Sequence, residues 1–244
     1  MTIHRVKTGI PGLDELTGGG FPQSSTVLVS GSAGTGKTIF SLQYLHYGAK
    51  NNEPGIYLTV EESKKNIFDQ ASQFGWNLEK LEDENKLIIN VMKESDIESI
   101  LEKLRIEVNN IKAKRLVVDS ISMLGMFSRV YAKITKEIYG SEDSILPHGG
   151  RELSRTDIYY IVKNINSLNT TALLISELPE HSEYLSRDTV SEFACDGVIL
   201  LEAKSLGTGV ERTLTIKKMR STEIDGAIHR IEFTKEGIRV IRKG

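Results

Sequence analysis

Apolar positions along this chain follow two rhythms that take turns. Short runs rich in β-branched residues, at Thr26 to Ser30, Gly55 to Val60, Leu87 to Val91, Arg115 to Ser120 and Thr171 to Ser176, have the length and continuity of buried strands. Between them the apolar residues recur every three or four positions. Ile39, Leu42, Leu45 and Ala49 form one such stripe, and Ile67, Ala71 and Phe74 another. Ile97, Leu101, Leu104, Val108 and Ile111 make a third, and Ile158, Val162, Ile165 and Leu168 a fourth. That spacing predicts helices. Ser63 and Gly75 read as the cap and terminator of the second, Ser95-Asp96-Ile97-Glu98 as a capping box for a helix over about 96–111, and Ser154 as the start of the fourth. From Gly197 onward the helical spacing stops. Gly197 to Leu201, Thr213 to Met219, Ala227 to Phe233 and Ile238 to Ile241 alternate like strands joined by short turns. Alternating β and α followed by a run of β predicts an α/β fold, a doubly wound and mainly parallel sheet with helices on both faces and a C-terminal antiparallel extension. No internal repeat interrupts residues 1–244, so one domain is expected. The least patterned part is Met123 to Arg155, where Ser141, Asp143, Ser144, Pro147, Gly149 and Gly150 mark a loop.

One junction in this pattern carries chemistry. The first strand runs into Gly31-Ser32-Ala33-Gly34-Thr35-Gly36-Lys37-Thr38, which fits G-x-x-x-x-G-K-[ST], and the first helix follows at once. Strand, glycine-rich loop and helix is the context that turns the pattern into a phosphate-binding site. Gly31, Gly34 and Gly36 let the backbone aim N–H groups at phosphate oxygens, and the helix adds its first-turn donors and the positive end of its dipole. Lys37 would reach the β- and γ-phosphates, and the Thr38 hydroxyl would bind Mg²⁺. The chain is therefore expected to bind a nucleoside triphosphate. In doubly wound sheets ligands collect beyond the C-terminal ends of the strands. Glu61 and Glu62, Asp119, and Ser176 and Glu177 all fall at such ends. Asp119 closes an apolar strand in the Walker B manner, where a carboxylate holds Mg²⁺ through water, and Glu61 or Glu62 suits the orientation or deprotonation of an attacking water.

Composition changes the picture only at the margins. With 39% hydrophobic and 26% charged residues in 244 and a net charge of −2, the profile is that of an ordinary globular chain without a broad basic face. A signal peptide is not expected, and no apolar run approaches the roughly 18 residues of a membrane span. Cys195 is the one cysteine, which excludes an internal disulfide and fits a reducing, cytoplasmic setting. Its expected role is that of a small buried hydrophobe.

Further stretches make the chain resemble the KaiC branch of the RecA/RadA ATPase superfamily, as a member with a single domain. They are Thr8-Gly9-Ile10-Pro11-Gly12-Leu13-Asp14, Gly18-Gly19-Gly20-Phe21-Pro22, Tyr57 to Ser63, and Phe74-Gly75-Trp76-Asn77-Leu78. Val117-Val118-Asp119-Ser120, Glu192 to Val198, and Lys218-Met219-Arg220-Ser221-Thr222 complete the set. The resemblance implies an ATPase using ATP and Mg²⁺, with its catalytic base in Glu61 and Glu62 and its γ-phosphate sensor in Ser176 and Glu177. It also implies that Lys218 and Arg220 act on the neighbouring subunit's ATP, hence a homo-oligomer, a ring of six as in the family. An unidentified protein partner would then read the nucleotide state. The likeness departs where family members usually carry Gly-Thr-x-His; here Ser221-Thr222-Glu223-Ile224 stands, so the histidine is missing. The tandem second domain and adjacent phosphorylated Ser/Thr pair of the clock protein are not found either, so autokinase and timekeeping roles are not carried over.

Two other functions compete with an oligomeric regulatory ATPase. One is a RadA-like repair protein that binds single-stranded DNA through Arg151 and Arg155, which the charge balance disfavours. The other is a scaffold that binds ATP without turning it over.

Overall fold

The computed structural model describes residues 3–92, 97–124, 154–207 and 209–241. The expected loop to Gly150, Arg151, and Ser95 with Asp96 of the expected capping box lie outside these residues.

A short ribbon of β1 (Arg5–Val6) and β2 (Phe21–Pro22), enclosing the one-turn α1 (Leu13–Leu16), leads into the main sheet. Its strands in chain order are β3 (Thr26–Gly31), β4 (Gly55–Thr59), β5 (Leu87–Val91), β6 (Arg115–Asp119), β7 (Thr171–Glu177), β8 (Gly197–Leu206), β9 (Gly209–Met219), β10 (Ile228–Thr234) and β11 (Gly237–Ile241). In space they run β11-β10-β9-β8-β3-β7-β6-β4-β5, parallel from β8 to β5 and antiparallel from β8 to β11. The expected doubly wound sheet with its antiparallel extension is what forms.

Helices cover both faces. α2 (Lys37–Lys50), α3 (Lys64–Ser72) and α4 (Leu78–Asp83) bury Phe40, Leu42, Ile67 and Leu81 against Val27, Val29, Val117 and Leu173. On the opposite face α5 (Ile97–Ile111) and α7 (Arg155–Asn166) pack Leu101, Leu104, Ile158 and Val162 against Leu28, Ile56, Val118 and Leu174. The alternation of Val27, Leu28 and Val29 between the two clusters is the period of two that a strand imposes. Both faces being covered is why the parallel strands read as unbroken apolar runs. Single turns α6 (Ile121–Leu124) and α8 (Ser191–Ala194) follow β6 and precede β8.

The caps of α3 and α7 sit where the residues indicate. Ser63 Oγ accepts from the Asn66 N–H, and Ser154 with Asp157 closes a capping box. β8 and β9 are longer than their apolar patterns, pairing out to Leu206 and Gly209. Only their inner halves meet β3 and β10, so residues 202–206 and 209–211 form a two-stranded arm with little apolar patterning to announce it.

Candidate active site

β3 lies inside the parallel set, and its C-terminal end opens into the glycine loop. Gly31 pairs there with Leu201 and Glu177 of its two neighbours. Gly36 takes φ +102, and a Cβ on it would come within 2.5 Å of the Phe233 ring, so the turn into α2 needs glycine. α2 then begins with no side-chain cap and no acidic residue in its first turn. α3 and α7 both have caps. The free donors and positive dipole end of α2 are left for an anion, and beside Gly34 a Cβ would meet nothing within 4 Å.

Around this mouth lies a cleft of about 380 Å³, lined by the loop and α2 on one side and by the ends of β4, β6 and β7 on the other. Lys37 is 7% exposed and its Nζ donates to the Ser32 carbonyl at 2.9 Å. Burial lowers its pKa, while Glu177, Asp119 and Glu61 pull it back up. The Thr38 hydroxyl donates to Asp119 Oδ2 at 3.3 Å, and the buried Tyr57 phenol donates to the same oxygen. Burial raises the Asp119 carboxyl above its ordinary range, opposed by the Tyr57 bond, the Lys37 charge and the Thr38 bond. The Asp119–Ser120 peptide is cis. A threonine hydroxyl and a carboxylate within hydrogen-bond distance are the hard oxygen donors that suit Mg²⁺. The residues present therefore fit a triphosphate with its metal.

The two glutamates are held differently. Glu61 Oε1 accepts from Ser120 Oγ at 2.9 Å, and burial raises its pKa, with the Ser120 bond opposing. Glu62 Oε2 accepts from Gln70 Nε2 of α3. Both peptides of the pair donate to Thr59 Oγ1, at 3.2 and 3.4 Å, so the turn after β4 aims two carboxylates at the cleft.

The structure brings together Ala33, Gly34, Gly36, Lys37, Thr38, Glu61, Glu62, Asp119 and Glu177 on the cleft wall. Ser176 is fully buried beneath it, its hydroxyl accepting from the Arg187 N–H at 3.1 Å. Lys218 and Arg220 are elsewhere. Met219 pairs with Gly197 at the start of β8, whereas Gly31 pairs with Leu201, so a strand length of about 13 Å separates them from the loop. Lys218 Nζ donates to the carbonyls of Glu192, Phe193 and Cys195, and Arg220 Nη1 to Asp196 Oδ1 at 2.8 Å. Within one chain neither touches the cleft. Arg155 starts α7 and reaches only Thr189, at 3.4 Å, among the described residues.

Among the cleft residues that the pattern did not announce are Arg212 and Phe233. Arg212 donates from Nε to the Gly34 carbonyl at 3.1 Å and stacks 5.0 Å over the Phe233 ring, and both line the cleft. Each sits in an alternating strand of the extension, where a charge and a partly exposed ring look like ordinary surface positions. What brings them to the cleft is the sheet order, β9 beside β8 and β10 beside β9, which sequence spacing does not reveal. Cys195 is buried as expected, and burial pushes its thiol pKa up, so it is inert.

A phosphate loop at the mouth of β3, with carboxylates on neighbouring strand ends, defines the RecA-like P-loop nucleotide-binding class. The family described as "ATPase: KaiC" matches residues 6–139 and 143–244, and the chain belongs to it. The circadian clock oscillator protein KaiC of Prochlorococcus marinus subsp. pastoris is 34% identical over 91% of this chain, which spans 42% of that protein. The UPF0273 protein MK0039 of Methanopyrus kandleri is 31% identical over 98% of this chain and 93% of its own length. The crystal structure of the KaiC-like protein PH0186 from Pyrococcus horikoshii OT3 superposes with a TM-score of 0.82 at 32% identity, covering 99% of this chain and all of that one. No described helix is long and apolar enough to cross a membrane.

Proposed function

We propose that this chain hydrolyses ATP with Mg²⁺ in a homo-oligomer, converting nucleotide state into a change that a protein partner reads. What carries the proposal is the cleft itself, where Lys37, Thr38, Asp119 and the two glutamates converge on an uncapped helix N-terminus. The loop N–H groups and Lys37 hold the phosphates, while Thr38 and Asp119 hold the metal. Mg²⁺, when bound, neutralises charge on the phosphate oxygens. Glu61 or Glu62 orients the attacking water and takes its proton as the bond to the γ-phosphorus forms and ADP leaves. Arg212 and Phe233 close the cleft on the side of the C-terminal extension.

Lys218 and Arg220 act on the ATP of a second copy. Supporting this, both lie at the far end of the sheet from their own cleft, beside Phe193, an aromatic ring left 73% exposed. A ring of copies would bring that end against a neighbour's cleft.

The test is phosphate release alongside mass in solution, with and without ATP–Mg²⁺. Lys37→Ala is expected to lose turnover by about 10²–10³-fold together with nucleotide binding, and one of Glu61→Gln and Glu62→Gln by a similar factor with binding kept. Normal hydrolysis by Lys37→Ala would refute the site. Full turnover in both Gln variants would remove the assigned base, and a monomer under all conditions would remove the shared site.

A further inference from the structure

We infer that Tyr57 is a positioning residue that fixes the Asp119 carboxylate for metal binding. The inference rests on the Mg²⁺–ATP reading of the cleft. Tyr57 is 1% exposed, and its place in β4, two residues before Thr59, puts its side chain on the α2 face of the sheet. β4 and β6 are parallel neighbours, with Tyr57 opposite Val117 and Thr59 opposite Asp119. The phenol therefore lies along the same face as the Asp119 side chain, one step down the strand. It donates to Oδ2, the oxygen that also accepts from Thr38 Oγ1 at 3.3 Å.

Three features of this arrangement point to a role beyond packing. First, the surroundings are apolar: Val117, Leu173 and Phe40 belong to the same buried cluster, and a phenylalanine would fill the space without burying a hydroxyl. A buried phenol costs free energy unless it finds a partner, and here the partner is a carboxylate that the cleft needs. Second, the bond has one direction: the phenol O–H donates and the carboxylate oxygen accepts, so Tyr57 acts on Asp119 as a donor. Third, both hydroxyl bonds fall on one carboxylate oxygen. The group is thereby held at two points through Oδ2, and Oδ1 takes part in neither bond. Thr38 can keep its proton on Oδ2 while its lone pairs turn to a cation. The phenol, which has no place in the cleft lining, supplies the second point. Losing such an outer partner typically costs about ten- to a hundredfold in metal affinity.

The experiment is a titration of nucleotide affinity against Mg²⁺, read by a ribose-labelled fluorescent ATP on the full chain, without reference to turnover. Wild type is expected to bind more tightly as Mg²⁺ is added; a flat response would sink the Mg²⁺–ATP reading itself. In Tyr57→Phe the Mg²⁺ midpoint is expected to rise about tenfold, while affinity in EDTA stays within about twofold of wild type. A midpoint unchanged or lowered in Tyr57→Phe, against a normal wild-type response, overturns the inference alone. Affinity lost equally with and without Mg²⁺ overturns it too, because the ring would then be supporting the pocket and not the carboxylate. Thr38→Ser, which keeps the first hydroxyl, is expected to respond to Mg²⁺ more nearly like wild type than Tyr57→Phe does.

Discussion

At the phosphate-loop end of the sheet, Lys37, Asp119, Glu61, Glu62 and Glu177 face one another around an open cleft, and the helix behind them lacks a cap. At the opposite end the charges are answered within the chain. Arg115, fully buried at the start of β6, donates to Glu53 and to the carbonyls of Tyr44 and Lys7 at 2.8 Å each, and lies 4.4 Å over the Tyr44 ring. Lys218 closes on three carbonyls around α8, and Arg220 on Asp196. The two ends use their charges to different purposes. Where donors and carboxylates are left facing an opening, a ligand completes them; where they are satisfied locally, they hold the fold. Lys218 and Arg220 belong to both schemes, tied down in their own subunit and proposed to serve the next.

That double role gives the comparison its sharpest test. Arg220→Ala is expected to lose hydrolysis about 10³-fold, the effect typical of an arginine that meets transition-state charge. Nucleotide binding by the isolated chain should be kept, since Arg220 does not line its own cleft. Mixing Arg220→Ala with Glu62→Gln under conditions that exchange subunits should then recover part of the activity, because some interfaces pair an intact glutamate with an intact arginine. A mixture as inactive as either parent would return Arg220 to its local bond with Asp196 and break the idea that the far end serves a second site.

The second test asks whether the satisfied end is structural. Arg115→Leu removes the guanidinium from two carbonyls and leaves Glu53 unpaired, at a cost of about 3 kcal/mol in unfolding free energy. The partial exposure of Glu53 keeps the loss from running higher. Denaturant midpoints measure it. The nucleotide affinity of the folded fraction should not change. A variant of wild-type stability would mean that the buried arginine does not hold the two ends of β6 and α2 together.

The same contrast explains what could be read from residues alone. Positions whose chemistry is local were legible: the loop from Gly31 to Thr38 carries its own signature, Ser63 and Ser154 cap their helices, and the strand alternation gave the sheet. Positions whose meaning comes from strand order were not. Arg212 and Phe233 enter the cleft because β9 folds back beside β8 and β10 beside β9, and no spacing rule encodes that neighbour relation. Nothing in its helical spacing marks Gln70 as the residue that bonds Glu62. The outer arm of β8 and β9 is not legible because its two strands pair only with each other, and its described residues carry little apolar patterning. α4 and α8 are too short for periodicity to show.

The smallest expected effect tests whether α2 changes character along its length, from ligand-facing at Lys37 to structural near Lys50. His46 stacks on Trp76 at 5.3 Å, and Trp76 on Phe74 at 4.9 Å. Burial, with the Lys50 charge adding to it, lowers the His46 pKa from its ordinary 6.5 to about 4. Between those values the unfolded chain takes up a proton that the folded chain does not, so stability falls as pH drops from 6.5 toward 4. His46→Phe keeps a ring against the indole and removes the titration. Its unfolding midpoint, followed by the fluorescence of Trp76, should therefore decline less between neutral pH and about pH 5 than that of wild type, with the two curves closest at neutral pH. Equal declines would place the acid sensitivity of the fold in other groups and leave His46 a packing residue alone. A steeper decline in the variant would reverse the sign of the argument. In either case nucleotide affinity at neutral pH should be untouched, because the His46 ring meets Trp76 on the packed side of the helix while the cleft begins two turns earlier.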